Sequence, residues 1–439
     1  MEANNKKSIA LMAMYLLLYS CDLPDQVGPD DNYCTSGASV LSLDDSNVSS
    51  EVKNRIYNPA PQTWVIHTQH PDYNRNGRLV LIPTAFPNLP ANEFVTREII
   101  ETAFFRSGTG SVRDYFYENS WGQFSLTNAG ISDWITLAND REFYGQGGDW
   151  TRNSNMYRDA CQASTIDWAS VDLNGDRIIT PNEALVGFII PAGNLGANRP
   201  GSVNITYNGQ PYTINSSFTF MDCKRLDEPE RDIRMISYNY PLIWHELGHG
   251  FFGLPDRYQD FSGTGRGGQF DIMSDNFRNI HMTIYDKMKI GWVKPRILLP
   301  ANQRIPEGRR CYRIQASAQT EAALILYSNR SPDEYLIVEN INTEASERGF
   351  TSGYNESGLA IWWADMNSGD TRLIERKLIS GGITALPLDH VSPRGIEVLL
   401  QYIDGTDPES ITFIRNQNGQ LNFGFRAVSP PGTSMFVEF

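Results

Sequence analysis

The sequence predicts an α+β domain over about residues 63–293, followed by a β-sandwich-like domain over residues 294–439. In the first range, apolar runs typical of strands occur together with stretches of helical periodicity. From Lys294 onward the pattern changes to short strands separated by turn signals. A chain of 439 residues with 40% hydrophobic and 20% charged residues can bury the cores of two domains.

The charge balance bears on the class of partner. The chain carries 37 basic and 51 acidic residues, which gives a net charge of −14. This balance argues against a nucleic-acid partner, because such binding depends on basic groups that neutralise phosphates. Solubility outside the cell is the simpler explanation of the negative charge.

Residues 1–20 have the pattern of a signal peptide. Lys6 and Lys7 stand before the apolar run at residues 9–18, which is too short to be a comfortable membrane span. The following Leu18-Tyr19-Ser20-Cys21 resembles a lipoprotein processing box, in which the cysteine becomes the lipidated first residue. Membrane anchoring through lipid on Cys21 and ordinary secretion are therefore two alternatives for an exported bacterial protein.

Residues 21–62 are predicted to form a tether or leader. They are rich in Asp, Ser, Asn and Pro and hold too little apolar surface to order themselves well. A short helix over residues 46–56 is compatible with this segment, and Cys34 could pin it to the core. If Cys21 carries lipid, an even number of cysteines remains: Cys34, Cys161, Cys223 and Cys311. Disulfides in an oxidising compartment, with three pairings open, and four buried free thiols are the alternatives.

The α+β domain is predicted to open with strands near residues 64–67 and 78–85, where apolar residues cluster between turn signals. A helix over residues 92–106 follows. A second helix falls within residues 110–123, and its aromatic residues at helical spacing predict core packing. Residues 204–220 are predicted to form a hairpin that turns at Asn208-Gly209.

Residues 172–183 place oxygen atoms at the spacing of a calcium loop. Position six, where the sharp turn normally needs a glycine, is Arg177, although Gly175 can supply some of that freedom. The alternative is a polar turn that leads into a buried strand at residues 184–190. If calcium binds, it stabilises the fold, and its ligands are Asp172, Asn174, Asp176, Ile178 through its carbonyl, Thr180 and Glu183.

Residues 243–256 predict a metal centre. His245 and His249 are four apart on a helix predicted over about residues 238–252, so both imidazoles can reach one ion, for which zinc is the expected identity. Glu246 follows the first histidine and points toward a water on the open side of the metal, where it can act as a base. Gly253 ends the helix, and Asp256 comes where the chain has turned back, so its carboxylate can complete a three-ligand site.

The alternative is a chance HExxH on an ordinary amphipathic helix. Because the chain has only six histidines, random matches are rare. Gly248 lowers helix stability by about 1 kcal/mol relative to alanine, which predicts that another group packs closely against it.

At these residues the chain resembles the immune inhibitor A family of secreted bacterial metallopeptidases, which have a metzincin-like HExxHxxGxxD layout. Leu254-Pro255-Asp256-Arg257-Tyr258 matches the LPDxY of that family. Residues 270–274 match its methionine turn, and the resemblance makes Met273 the floor beneath the metal. The segments 110–123, 281–292, 334–340 and 358–365 also resemble family stretches. The resemblance implies a metzincin-like zinc peptidase domain.

Two points stay open beside this resemblance. The chain has three residues between His249 and Gly253 where the family usually has two, so Asp260 is the alternative third ligand. His281 and Tyr285 lie one helical turn apart, so either could donate a hydrogen bond to a developing oxyanion. Otherwise they support the metal ligands without contacting the ion, or they lie on the surface.

The sequence thus predicts a zinc-dependent endopeptidase that cleaves extracellular proteins with Glu246 as general base. The first alternative is a catalytically inactive surface binding protein on a metallopeptidase scaffold, in which the additional residue before Gly253 displaces the third ligand. A further alternative keeps the same metal chemistry but acts on a small peptide or a non-peptide amide.

Overall fold

The computed structural model describes residues 41–42, 76–145, 150–191, 198–222, 240–254, 256, 270–276, 278–298, 311–319, 322–327, 334–354, 357–365, 370–377, 396–399, 412–416, 421–425, 427–428 and 434–438. Several predictions fall outside these residues: the signal peptide, the helix over residues 46–56, the strand near residues 64–67, Cys34, Cys223 and Asp260. The described part contains both helices and sheets.

The first part of the chain is built on one mostly parallel sheet. In chain order its strands are β2 (Asn76–Ala85), β3 (Ser125–Ile131), β4 (Ile135–Thr136), β5 (Ile178–Ile179), β6 (Leu185–Ile190), β7 (Asn198–Tyr207) and β8 (Gln210–Asp222), with β1 (Leu41–Ser42) belonging to another sheet. The order is β3-β2-β6-β8-β5, with β4 beside β2 and β7 antiparallel to β8. The predicted hairpin is confirmed, and it turns at Asn208 and Gly209, which both have positive φ.

The described helices are α1 (Arg97–Phe105), α2 (Val112–Asn119), α3 (Trp150–Ala163), α4 (Trp168–Val171), α5 (Tyr240–Phe252) and α6 (Ile284–Ile290). The sequence pattern predicted that α1 begins near residue 92, but the helix begins at Arg97, because a cap sets its first turn there. The Thr96 side chain accepts a hydrogen bond from the Ile99 N–H, and Ser111 forms a capping box with Asp114. At the C-terminal end of α6, Gly291 adopts the left-handed conformation that ends the helix.

Strand β2 divides the core into two clusters, because successive side chains of a strand point to opposite faces of the sheet. Leu79 and Leu81 lie in the first cluster, which also contains the buried face of α5. Val80 and Ile82 lie in the second cluster, which contains residues of α3. The sheet is therefore covered on both faces, and α5 lies on the first.

The C-terminal part consists of strands β9 (Lys294–Leu298), β10 (Cys311–Gln315), β11 (Ala322–Tyr327), β12 (Glu334–Ile341), β13 (Gly358–Asp365), β14 (Asp370–Lys377), β15 (Ile396–Leu399), β16 (Thr412–Asn416), β17 (Leu421–Phe425), β18 (Ala427–Val428) and β19 (Ser434–Glu438). One six-stranded sheet has the order β1-β9-β11-β12-β13-β14. Its edge strand β1 comes from the segment predicted as a tether, so at least these two residues pair with the C-terminal part. Ile337, Ile341 and Trp362 of this sheet belong to the same hydrophobic cluster as α5.

Two further observations concern cysteine and membrane contact. Cys161 is a free thiol, 1% exposed in α3, and burial raises its pKa. The alternative in which Cys34, Cys161, Cys223 and Cys311 all form disulfides is therefore wrong for Cys161. This residue packs instead as a small apolar side chain in the second cluster. None of the helices in the described part of the chain has both the length and the apolar character needed to cross a bilayer.

Candidate metal centre

Helix α5 holds the two predicted histidine ligands and is anchored by its apolar face. Trp244, Leu247 and Phe251 are each at most 1% exposed in the first cluster. The helix ends at Phe252, as predicted, because Gly253 takes a left-handed φ of 62° and donates its N–H to the His249 carbonyl at 2.9 Å. This turn brings the chain back along the helix toward the histidines.

Three predicted ligand atoms converge beside this turn. The Nε2 atoms of His245 and His249 lie 3.0 Å apart, and Asp256 Oδ1 lies 3.1 Å from each of them. Within the described residues, this is the one group of three His, Cys or acidic side chains whose ligand atoms lie within 4.8 Å of one another. The additional residue before Gly253 therefore does not carry Asp256 away from the imidazoles.

Backbone carbonyls define the tautomer of both imidazoles. His245 Nδ1 lies 2.9 Å from the carbonyl oxygen of Ile272, and His249 Nδ1 contacts that of Leu254. Since a carbonyl oxygen only accepts hydrogen bonds, each Nδ1 carries the proton and each neutral ring presents a lone pair at Nε2. Metal-binding histidines are commonly oriented in this way.

The electrostatics of the three groups favour a cation between them. Burial acts to lower the pKa of His249, but the hydrogen bond and charge of Asp256 and the charge of Glu246 outweigh it and raise that pKa. Burial acts to raise the pKa of Asp256, but the hydrogen bonds that His245 and His249 donate to it when they are protonated lower that pKa overall. Two lone pairs and a carboxylate oxygen at these distances repel one another unless positive charge lies among them.

The donor set fits zinc in chemistry and in size. Zinc takes two imidazole nitrogens and a carboxylate oxygen at about 2.0–2.2 Å, and tetrahedral bonds of that length separate ligand atoms by about 3.4 Å. The observed 3.0–3.1 Å separations need only a small outward adjustment. The same set with open positions also suits non-haem iron(II), so the donor atoms alone do not distinguish the two metals.

One side of the centre is buried and the other is open. The His245 side chain is 1% exposed and that of His249 is 10% exposed, whereas the Asp256 side chain is 52% exposed. Glu246, between the two histidines in sequence, is 4% exposed, and its charge acts on His249. The Asp256 side of the centre is therefore exposed, and a buried carboxylate lies on the same helix as the two histidines.

The predicted methionine turn lies directly beneath the helix. Met273 is fully buried, and its Sδ lies 3.0 Å from where a Cβ on Gly248 would stand. This confirms that a group packs closely against Gly248. The preceding residue Ile272 supplies the carbonyl that orients His245, and Asp271 Oδ1 accepts the Met273 N–H at 2.9 Å. The turn thus contacts His245 through a backbone atom and packs against α5 at Gly248 through the Met273 sulfur.

The structure assigns His281 and Tyr285 to another environment. Both are fully buried, so neither is a surface residue. His281 Nε2 contacts Glu118 Oε1 at 3.0 Å and its Nδ1 contacts Lys287 Nζ at 3.3 Å, so both ring nitrogens are already engaged. The expectation that His281 donates to an oxyanion is wrong for this reason. Tyr285 packs in the first cluster, with the Lys289 ammonium 4.9 Å from the centroid of its ring.

The predicted calcium loop is ordered by its own side chains. Asp172 accepts hydrogen bonds from the Gly175 and Arg177 N–H groups, and Arg177 takes a φ of 65° at the position where a glycine was expected. Glu183 Oε1 accepts from the Leu173 N–H at 2.8 Å. The described side chains of Asp172, Asp176 and Glu183 do not form a trio as close as the histidine centre, so calcium binding stays a prediction.

Some supporting residues could not be found from the sequence. Tyr115 stacks on Trp244 with ring centroids 3.9 Å apart, and Phe350 meets Trp244 edge-on at 5.4 Å. The aromatic spacing around Tyr115 indicated a core face, but no pattern indicated which aromatic residue it would meet. The contact of Ile272 with His245 is made by a backbone carbonyl, so the identity of this residue gives no indication of it.

Comparison with known proteins adds no family assignment. No protein-family model matches this chain, and no curated protein matches it significantly. The function is therefore argued from the geometry of the centre and from the sequence motifs.

Proposed function

We propose that this chain is a zinc-dependent endopeptidase that hydrolyses peptide bonds of proteins outside the cell. The observation that carries the proposal is the convergence of His245 Nε2, His249 Nε2 and Asp256 Oδ1 within 3.1 Å, with Glu246 on the same helix. Three protein ligands that leave further positions for water and substrate are typical of catalytic rather than structural zinc.

When bound, zinc supplies Lewis acidity that polarises the scissile carbonyl and brings the pKa of a water toward neutrality. Glu246 accepts a proton from the attacking water on a carboxylate oxygen and passes it to the nitrogen of the leaving amine. His245 and His249 stay directed at the centre because the carbonyls of Ile272 and Leu254 hold their Nδ1 protons. Asp256 contributes the negative charge that balances the ion.

The competing function is an inactive surface binding protein on the same scaffold. That alternative requires the additional residue before Gly253 to remove the third ligand from the site. The equal 3.1 Å distances from Asp256 Oδ1 to the two imidazoles favour the enzyme instead. The exposed Asp256 side also favours access by a polypeptide substrate.

Glu246→Gln tests the proposal, with the wild-type chain as reference and zinc content measured for both. We expect both proteins to hold one zinc per chain, the wild type to cleave a peptide library, and the variant to lose at least a hundredfold in rate. Full activity in Glu246→Gln would remove the base assignment. A wild-type chain that holds zinc and cleaves only small amides would replace the endopeptidase with an amidase.

We also propose a structural calcium ion in residues 172–183. Its ligand types and spacing support this, and Glu183 already joins both ends of the loop by accepting the Leu173 and Thr180 N–H groups. Calcium added to chelator-treated protein should raise the midpoint of thermal unfolding. An unchanged midpoint in the wild type, or an equal increase in Asp172→Ala, would contradict the site.

Export from a bacterial cell is proposed from residues 1–21 alone. Mass spectrometry of the chain expressed in a bacterium distinguishes the alternatives. A mature chain that begins at Cys21 and carries acyl groups supports lipid anchoring, and one without acyl groups supports secretion. A full-length chain retained in the cytoplasm would contradict export.

A further inference from the structure

The loop between β12 and β13, described over residues 342–354, leaves the C-terminal sheet and reaches the back of the metal-site helix. Phe350, 4% exposed, lies with its ring 5.4 Å from Trp244 and 5.5 Å from Tyr115, nearly perpendicular to both. Trp244 directly precedes His245 on α5. Phe350, Tyr115 and Trp244 therefore form one aromatic cluster, and its Trp244 belongs to the helix that carries the histidines.

The same loop contacts the methionine turn. Tyr354, 5% exposed, stacks on Phe270 with ring centroids 5.8 Å apart, and its hydroxyl accepts the His281 N–H at 3.2 Å. Phe270 stands two residues before Ile272, whose carbonyl orients His245. Tyr354 thus packs against the segment whose Ile272 carbonyl orients His245.

The loop is held at this position by close backbone contact. The Gly353 N–H donates to the Asn279 carbonyl at 2.8 Å, and a Cβ on Gly353 would lie 2.6 Å from the Asn279 nitrogen. The backbone nitrogen and oxygen of Asn279 leave no room for even a methyl group at Gly353. The loop therefore cannot slide relative to the segment before α6 without losing this contact.

Hydrogen bonds within the loop make it a rigid support. The Thr351 hydroxyl donates to the Thr343 carbonyl at 3.0 Å, and the Phe350 N–H donates to Ser346 Oγ at 3.0 Å. The Ser346 N–H in turn donates to Thr351 Oγ1 at 3.2 Å. These bonds hold the backbone from which Phe350 and Tyr354 project, so the two rings are positioned before any metal binds.

We propose that residues 342–354 position the metal centre, with Phe350 acting on α5 through Trp244 and Tyr354 acting on the methionine turn through Phe270. This inference rests on the proposed metal centre but not on peptide cleavage. Its consequence is that the C-terminal part takes part in setting zinc affinity, although none of its described residues is among the three ligands.

The test is zinc affinity of the full chain, measured without substrate by competition with a chromophoric chelator, together with the visible spectrum of the cobalt(II)-loaded protein. Phe350→Leu and Tyr354→Ala should each weaken zinc binding by about tenfold, at the low end of the range for residues that support metal ligands, and should alter the cobalt bands. Tyr354→Phe keeps the ring on Phe270 and should lose less affinity than Tyr354→Ala.

Phe218→Leu is the matched control. Phe218 is fully buried and stacks on Tyr157 at 4.4 Å, but it lies in the second cluster. We expect this variant to lose thermal stability with unchanged zinc affinity and cobalt spectrum. If Tyr354→Ala does not fold, the zinc affinities of Phe350→Leu and Phe218→Leu are compared, and this comparison decides whether the loop positions the metal centre.

The outcomes separate the two proposals. Wild-type affinity and spectra in both Phe350→Leu and Tyr354→Ala would overturn the positioning role, as would an equal loss of affinity in Phe218→Leu. A wild-type chain that binds zinc but cleaves no peptide would remove the endopeptidase function, and the affinities would still decide the role of the loop. A wild-type chain that binds no zinc would overturn both.

Discussion

Gly248→Ala tests how closely the methionine turn is coupled to the metal centre. Alanine is favoured over glycine inside a helix by about 1 kcal/mol. The added Cβ would lie 3.0 Å from Met273 Sδ and 3.6 Å from Leu254 Cδ1, so Met273 must move by a few tenths of an ångström. Overpacking of this kind costs about 1–3 kcal/mol, so the free energy of unfolding should fall by about 0–2 kcal/mol overall.

Zinc affinity is the more discriminating measurement for this variant. A displaced Met273 shifts the neighbouring Ile272 carbonyl, which orients His245, so we expect about tenfold weaker zinc binding. Gly201→Ala is the matched control, because its Cβ would also lie 3.0 Å from a side chain, that of Phe218, in the second cluster. The reasoning is refuted if Gly248→Ala binds zinc like the wild type, or if Gly201→Ala weakens binding equally.

Three further predictions address the third ligand and the buried polar groups. Asp256→Ala should lose zinc on dialysis against a weak chelator while keeping its far-ultraviolet circular dichroism, because its side chain is 52% exposed; retention of stoichiometric zinc would exclude it as a ligand. Trp362→Phe removes the 2.7 Å hydrogen bond to buried Glu339 and should cost about 1–3 kcal/mol in urea unfolding; an unchanged midpoint would contradict this. Burial and the charge of Lys287 lower the pKa of His281 to about 4, so the folded state resists protonation that the unfolded state accepts near pH 6.5. Stability should therefore fall by about 3 kcal/mol as the pH falls from 6.5 to 4, and His281→Gln should reduce that slope; equal slopes would refute the assignment.

The convergence of His245 and His249 was the most predictable part of the molecule because its information is local. Two histidines at helical spacing need only a helix to bring their rings together, and Gly253 marks where that helix ends. Asp256 was less certain, since its position depends on a turn with one residue more than the resembling motif has. In the structure the chain returns along α5 and brings the Asp256 carboxylate to 3.1 Å from both imidazoles.

Contacts between distant segments could not be predicted. The contact of His281 with Glu118 joins residues 163 positions apart, and no periodicity in either segment indicates the other. The approach of residues 342–354 to α5 is of the same kind, because the sequence pattern placed them in a separate domain. The start of α1 was also misplaced, because the cap at Thr96 determined its first helical residue.

The central claim is that His245, His249 and Asp256 together hold one zinc ion. The most direct measurement is an anomalous-difference map at the zinc edge, from crystals of the full chain grown with zinc. The account predicts a single peak bonded to His245 Nε2, His249 Nε2 and Asp256 Oδ1 at about 2.0–2.2 Å. No peak among these atoms, or a zinc ion bound there without the Asp256 carboxylate, would contradict it.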